Sequence, residues 1–296
     1  MFKRMIALSM TLGMASQLCA GVIATESFDY EVGSISTKNG GAGWSNAWSQ
    51  QSAAGGSGTS SVSGSSLTFS NYETSGGSLE VKLDDAIGRG AFQTQYAIRN
   101  LGSVPASGQD LWVSFLYKNS GTITNSIASR QIELRHGGFQ FRIRPKDGGH
   151  RGVAIGYDGG SFQRNNDEYI QDGGTYLFIA RFDIGDGGSS SQGANLWVLN
   201  ETSYDLIKNG GITLSELNSG AFTSVESTKK DKALGSNAQL AIGLSTSTDE
   251  GLTSLFDEFK YGTALEDVIG NQVPEPASML SIMAGVGVLS LVRRRK

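Results

Sequence analysis

The sequence predicts an all-β domain of two packed antiparallel sheets, a jelly-roll sandwich, with an apolar helix at each end of the chain that is no part of it. Three observations lead there. Short segments alternating apolar with polar residues recur along residues 66–261, as strands with one buried face require. Gly is abundant (41) and Pro rare (4), and four Asp-Gly-Gly turns, starting at Asp147, Asp158, Asp172 and Asp186, fall 11, 14 and 14 residues apart, a spacing that suits successive hairpins. Outside the two ends no helical period persists over three turns, so crossover helices for a parallel sheet are lacking.

Residues 1–20 have the layout of a secretory signal peptide: a basic start at Lys3 and Arg4, an apolar run from Ile6 to Ala15, and a peptidase site at Leu18-Cys19-Ala20. Cys19, the sole cysteine, is expected to leave with it. The mature chain then has no means of forming disulfides, Cys-ligated zinc or a thiol nucleophile, and its stability must come from burial. The sandwich is assigned to residues 21–272. Setting aside six of the 24 Lys and Arg and one of the 28 Asp and Glu as belonging to the end segments leaves this part near −9. Such a domain stays soluble and does not bind nucleic acid through general electrostatics, which needs a clustered basic surface.

Within the domain, Val22–Tyr30 alternates as a strand does, and Asn39-Gly-Gly-Ala-Gly43 permits a positive-φ turn before Trp44 and Trp48. Trp44 is assigned to the core. Trp48 is open to two uses, core or an exposed platform on which a sugar stacks, and is retained as a candidate ligand-binding residue. From Ala53 to Ser66 the chain is nearly all Gly, Ser and Ala, which reads as a flexible loop, either flap or insertion. Strands follow at Ser66–Phe69, Leu79–Leu83, Ala91–Ile98, Leu111–Tyr117, Gln131–Arg135, Phe139–Arg144, Val153–Tyr157, Tyr176–Asp183, Asn195–Leu199, Gln239–Leu244 and Leu255–Tyr261.

Catalytic constellations are sparse. Retaining glycoside hydrolysis needs two carboxyl groups about 5–5.5 Å apart, the reach of same-face neighbours on a strand. Glu26, Asp29 and Glu31 come closest, but Glu26 and Asp29 face opposite sides. Asp257 and Glu258 are adjacent and also oppose each other. Asp257 is expected to share its face with Leu255, Phe259 and Tyr261, so it reads as a satisfied structural acid or a cation ligand, with one structural calcium as the cofactor to consider. The Asp-Gly-Gly segments lack EF-hand spacing and read as turns. His136 and His150 sit beside glycines in turns with no nucleophile motif nearby. Catalysis is not expected; the alternative is a divergent glycosidase or polysaccharide lyase on the same scaffold.

One stretch runs against the acidic average. Arg130, Arg135, Arg142, Arg144, Lys146, Arg151 and Arg164 face only Glu133, Asp147 and Asp158 between residues 130 and 164. In Phe139-Gln-Phe-Arg-Ile-Arg144 the apolar residues point one way and Gln140, Arg142 and Arg144 the other. Guanidinium groups bind carboxylates and sulfates in a bidentate way, so Arg142 and Arg144 are candidates for holding an anionic polysaccharide on a concave sheet. An ordinary solvated face paired with neighbouring acids is the competing account.

The C-terminus carries Val273-Pro274-Glu275-Pro276, an uncharged run of 16 residues from Ala277 to Val292, and then Arg293-Arg294-Arg295-Lys296. As a helix the run spans roughly 24 Å, short of the roughly 30 Å of bilayer hydrocarbon, a deficit met by local thinning and snorkelling of the terminal cations. Those cations hold that end in the cytoplasm. The layout of residues 273–296 resembles the PEP-CTERM sorting signal of Gram-negative bacteria. That resemblance implies export, a transient anchor in the inner membrane, and removal of the helix by an exosortase, a membrane protease-transpeptidase. A permanent anchor is the plainer alternative.

A second resemblance lies in Leu255-Phe-Asp-Glu-Phe-Lys-Tyr-Gly262 followed by Thr263–Val268, with Phe28-Asp29-Tyr30, Gly43-Trp44 and Leu111-Trp-Val-Ser-Phe-Leu116 upstream. These are similar to segments of laminin-G-like, concanavalin A-like jelly rolls, which close with an alternating strand and a short helical turn. The resemblance implies the sandwich fold and leaves function open among lectins, glycosidases and adhesion modules. Together the two point to a cell-surface or extracellular-matrix protein with a noncatalytic domain.

Overall fold

The computed structural model describes residues 21–270 except for 54–57, 85–92, 107, 121–130, 137–138, 147–149, 158–161, 171–172, 185–193, 211–212, 214–215, 217–222, 228–238 and 247–251. The signal peptide expected at residues 1–20 and the sorting helix expected at 277–292 lie outside the described residues.

Two antiparallel sheets make up the molecule. Across the first run β14 (Thr223–Ser227), β13 (Ala194–Leu199), β12 (Thr175–Asp183), β7 (Asp110–Ser120), β16 (Leu252–Gly262), β5 (Ser78–Leu83), β4 (Gly58–Ser63) and β2 (Gly33–Ser34), with β1 (Ala24–Glu26) pairing with the far end of β16. Across the second run β11 (Phe162–Ile170), β10 (His150–Tyr157), β9 (Phe139–Lys146), β8 (Gln131–His136), β15 (Gln239–Thr246), β6 (Gln93–Asn100) and β3 (Ser49–Ala53). β14 lies against β10 and β11 at one side of the sandwich, and β4 and β5 approach β6 at the other.

The core between the sheets is aromatic and aliphatic. Phe115 stacks on Phe178 and on Phe259, with ring centroids 4.9 and 5.0 Å apart, and Leu240, Ile242, Leu244 and Val153 meet them from the second sheet. A second apolar layer covers the outer face of the first sheet: Leu116, Leu177, Ile179 and Leu199 lie under Leu67, Phe69 and Tyr72, helix α1 (Glu201–Lys208) and helix α2 (Leu265–Ile269). That layer explains why β12 is a nearly unbroken apolar run, since a strand buried on both faces has no polar side to alternate.

Several expectations from the sequence are corrected. Ser66–Phe69 is not a strand but part of an irregular strap over the outer face, where Leu67 and Phe69 are buried. The middle of the expected loop at 53–66 is the strand β4, Gly58–Ser63: Ser60 and Val62 are buried, and the Ser60 hydroxyl accepts from Gln95 Nε2 at 3.0 Å. Small residues serve there because β4 must pack closely against β5 and beside β6. Three of the four Asp-Gly-Gly segments lie between strands that pair as hairpins, β9 with β10, β10 with β11, and β12 with β13. The segment at Asp172 instead leads from β11 in the second sheet to β12 in the first. Helix α1 was not anticipated; eight residues are too few to show a helical period, although Asn200 caps it by accepting from the Ser203 amide at 2.9 Å. The short turn after the closing strand is present as α2.

Candidate functional sites

The tryptophans meet in a buried cluster where β1, β6 and the loop after β2 converge. Gly43 adopts φ +78 and leaves no room for a Cβ against the Ile23 carbonyl, and this sets Trp44 into the sandwich end. The Trp44 indole donates to the Thr25 carbonyl at 2.9 Å, and its ring meets Trp48 at 6.0 Å and Tyr261 edge-on at 5.5 Å. Trp48 is only 2% exposed and donates to Glu26 Oε2 at 3.0 Å. A sugar has no access to stack on it, so its candidacy as a ligand-binding residue is corrected to a core role.

Beneath both rings lies an ion pair that the pattern of residues did not disclose. Arg99 Nη1 donates to Glu26 Oε2, with side chains 1% exposed on both partners. Its remaining donors reach the Asn46 carbonyl at 2.8 Å, Asn39 Oδ1 at 2.9 Å and the Gly40 carbonyl at 2.8 Å, while its guanidinium lies 5.0 Å from the Trp44 ring centroid. Glu26 also accepts from the Phe28 amide at 3.0 Å and the Tyr30 hydroxyl at 2.8 Å. Every polar group finds a partner, which is the condition for a buried pair to be tolerated. The carboxylate nearest to a catalytic candidate is therefore sealed inside a structural lock.

Asp257 occupies a β-bulge. It stands opposite Leu116 and Lys260 opposite Ser114, so one extra residue lies between them, and Glu258 takes φ +51 to accommodate it. The bulge flips the alternation. Phe259 and Tyr261 belong to the core between the sheets, whereas Asp257 faces the outer layer with Leu255, which corrects the expectation that all four share one face. Asp257 Oδ2 accepts from Ser66 Oγ at 2.6 Å and the Leu67 amide at 2.8 Å, and Oδ1 from the Glu258 amide at 2.8 Å. Glu258 accepts from the Ser75 amide at 2.6 Å. Two adjacent acids thus pin both ends of the strap. Burial pushes the Asp257 carboxyl up to about 7, against the Ser66 and Leu67 donors that favour its ionised form. Three of the lone pairs a cation would use are already engaged, and among the described residues no three His, Cys, Asp or Glu side chains gather as a metal site.

For Arg142 and Arg144 the backbone register is informative. Arg142 lies opposite Glu133 on β8 and Ala154 on β10, and Ala154 in turn opposite Arg164 on β11. Arg144 lies opposite Gly152. The neighbouring rungs pair Ile132 with Ile143 and Ile143 with Val153, which is buried in the core. The topology therefore brings Arg142 and Arg164 onto one row across β8–β11, with Glu133 at its end. Sequence reasoning named the stretch but not this row, because the pairing of β10 with β11 sets it. The sorting residues Val273, Pro274, Glu275, Pro276, Arg293, Arg294 and Arg295 lie outside the described residues, and no helix among the described residues is long and apolar enough to cross a membrane.

Residues 272–296 match the family described as the PEP-CTERM protein-sorting motif. No curated protein sequence matches the chain. Among solved structures the chain is similar to the endo-β-1,4-glucuronan lyase of the fungus Trichoderma reesei, at 12% identity and a TM-score of 0.48, covering 78% of this chain and 96% of that one. It is similar to domain 4 of a GH43 extracellular arabinanase of Geobacillus stearothermophilus at 14% identity, TM-score 0.44, over 82% and 92% of the two chains. It is also similar to a PL-14 alginate lyase from Aplysia kurodai at 9% identity, TM-score 0.42, over 69% and 87%.

Proposed function

We propose that the protein is exported, held transiently in the inner membrane, and released by an exosortase-type protease to the cell surface or extracellular matrix, where its sandwich holds acidic polysaccharide without cleaving it. The observation that carries the delivery is the match of residues 272–296 to the PEP-CTERM protein-sorting motif. A signal-peptide layout at the other end of the chain agrees with it.

The polysaccharide is supported by the row of Arg142 and Arg164, with Arg144 one rung pair away, on strands next to a rung that belongs to the core. A noncatalytic role is supported by the fate of the acids: Glu26 is locked to Arg99, and Asp257 and Glu258 hold the strap. A weak site repeated over many displayed copies gains avidity without new contacts. The test is retention of the full chain on alginate and on sulfated and neutral polymers, with the eluate assayed for new reducing or unsaturated ends. Retention on the acidic polymers that falls with added salt, with no new ends, is the expected result. The Arg142→Ala, Arg144→Ala double variant is expected to keep its melting temperature and lose retention. Equal retention of variant and parent, or release of unsaturated ends, would overturn the assignment.

A further inference from the structure

The outer layer of the first sheet contains a pocket of about 110 Å³, lined by Tyr72, Glu73, Tyr204, Lys208 and Lys260 and ending at Ile269 and Gly270. Each wall is held independently. The Tyr72 hydroxyl donates to the Val268 carbonyl at 3.2 Å and that of Tyr204 to the Ile269 carbonyl at 3.4 Å, so the two rings cross at 5.6 Å between centroids and stand fixed against α2. Lys208 donates to the Asn71 carbonyl at 2.8 Å and its ammonium lies 5.5 Å from the Tyr204 ring centroid.

Lys260 is the odd member. It is half-buried, and its ammonium sits 4.3 Å from the centroid of the Tyr72 ring. Among the described residues no carboxylate forms an ion pair with it. The acids beside it in sequence are committed elsewhere, Asp257 to Ser66 and Leu67 and Glu258 to Ser75. Glu73 is exposed at the pocket. Burial holds the Lys260 ammonium below the usual lysine range, with Glu258, Glu73 and Asp257 pulling the other way. A cation on an aromatic wall without a direct counter-ion is a place for an anion from outside the chain.

We infer that this pocket is a carboxylate-binding subsite, taking the carboxylate of a uronic acid residue onto Lys260 and Lys208. The dimensions suit the class. A volume of that order accommodates a carboxylate and its adjoining carbons, roughly the space of a few waters, and leaves the rest of a sugar ring at the mouth beside Tyr72 and Tyr204. Glu73 is placed to accept a sugar hydroxyl and disfavours a dianion such as phosphate. The pocket lies on the first sheet and the arginine row on the second, so the subsite stands independently of that row.

Calorimetric titration of the full chain with sodium glucuronate tests the inference, with glucose as the neutral counterpart and sodium acetate as the bare carboxylate. Saturable binding of glucuronate and none of glucose is expected. Competition by acetate in large excess is expected, because the contact is made to the carboxylate, and acetate that fails to displace glucuronate would count against the inference. Lys260→Met is expected to weaken glucuronate roughly tenfold or more, the effect of losing a charge-assisted hydrogen bond. Lys208→Met, in the half-buried last turn of α1, checks the same site if the first variant unfolds, and is expected to weaken binding several-fold. Loss of alginate retention in the Arg142→Ala, Arg144→Ala variant reports on the arginine row, and loss of glucuronate affinity in Lys260→Met reports on this pocket, so the two readings fail separately. Equal binding of glucose and glucuronate, or unaltered affinity in a folded Lys260→Met or Lys208→Met variant, would overturn the inference.

Discussion

Arg99 and Glu26 show how a single buried pair organises one end of the sandwich. The guanidinium joins β6 to β1 through Glu26 and to the glycine-rich turn through Asn39 and Gly40, with Trp44 and Trp48 over its face. Removing one partner of such a pair leaves the other charge without compensation, a loss of roughly 3–5 kcal/mol. Arg99→Met is therefore expected to lower the midpoint of urea unfolding by that equivalent, measured by tryptophan fluorescence, and the Arg99→Met, Glu26→Gln double variant to recover part of it. The tryptophans were legible as a pair near a turn. Arg99 was not, because β6 turns Gln95, Ala97 and Arg99 inward and leaves the more apolar Tyr96 and Ile98 less buried. Apolar periodicity points the wrong way wherever a polar network fills the interior.

Strand β16 carries the corresponding lesson for elements. Its sequence reads as a regular alternating strand, yet a one-residue bulge turns Asp257 away from Phe259 and gives two acids to the strap. Bulges depend on a partner strand, here β7, and so leave no local sign in composition. The same dependence hid β4, whose Gly and Ser residues look like a linker until β5 pairs with them. By contrast β7, β12 and β13 were legible as strands because their apolar content is high enough to be buried on both faces. Asp257 supplies a pH test. Its carboxyl is raised to about 7 in the folded chain against an ordinary value of 3.8, so the folded state binds the extra proton between those limits. Its contribution to stability is then full at acid pH and lost as the pH rises through about 7. Melting temperatures of the parent minus those of Asp257→Asn should decline over this interval; a difference that grows with pH would contradict the protonation assigned to the bulge. Chelation is expected to leave the melting curve unchanged, since the Asp257 oxygens already face three donors.

At the scale of the whole molecule, the sandwich class was readable from strand count, turn chemistry and the absence of long helical periods. Its layering was not, since the strap, α1 and α2 that cover the first sheet are short or irregular and depend on tertiary contacts. Delivery was the most legible property, because a sorting signal is read as a linear arrangement of proline, apolar run and cations and needs no tertiary partner. Replacing Arg293, Arg294 and Arg295 with Ser should leave unprocessed chain in the inner membrane of the native host, detected by fractionation and immunoblot. The most direct test of the account is the mass of the C-terminal peptide of the mature protein recovered from the surface of that host. A terminus at or near Val273–Pro276, with residues 277–296 missing, is the predicted result, and a mature protein still ending at Lys296 would contradict it.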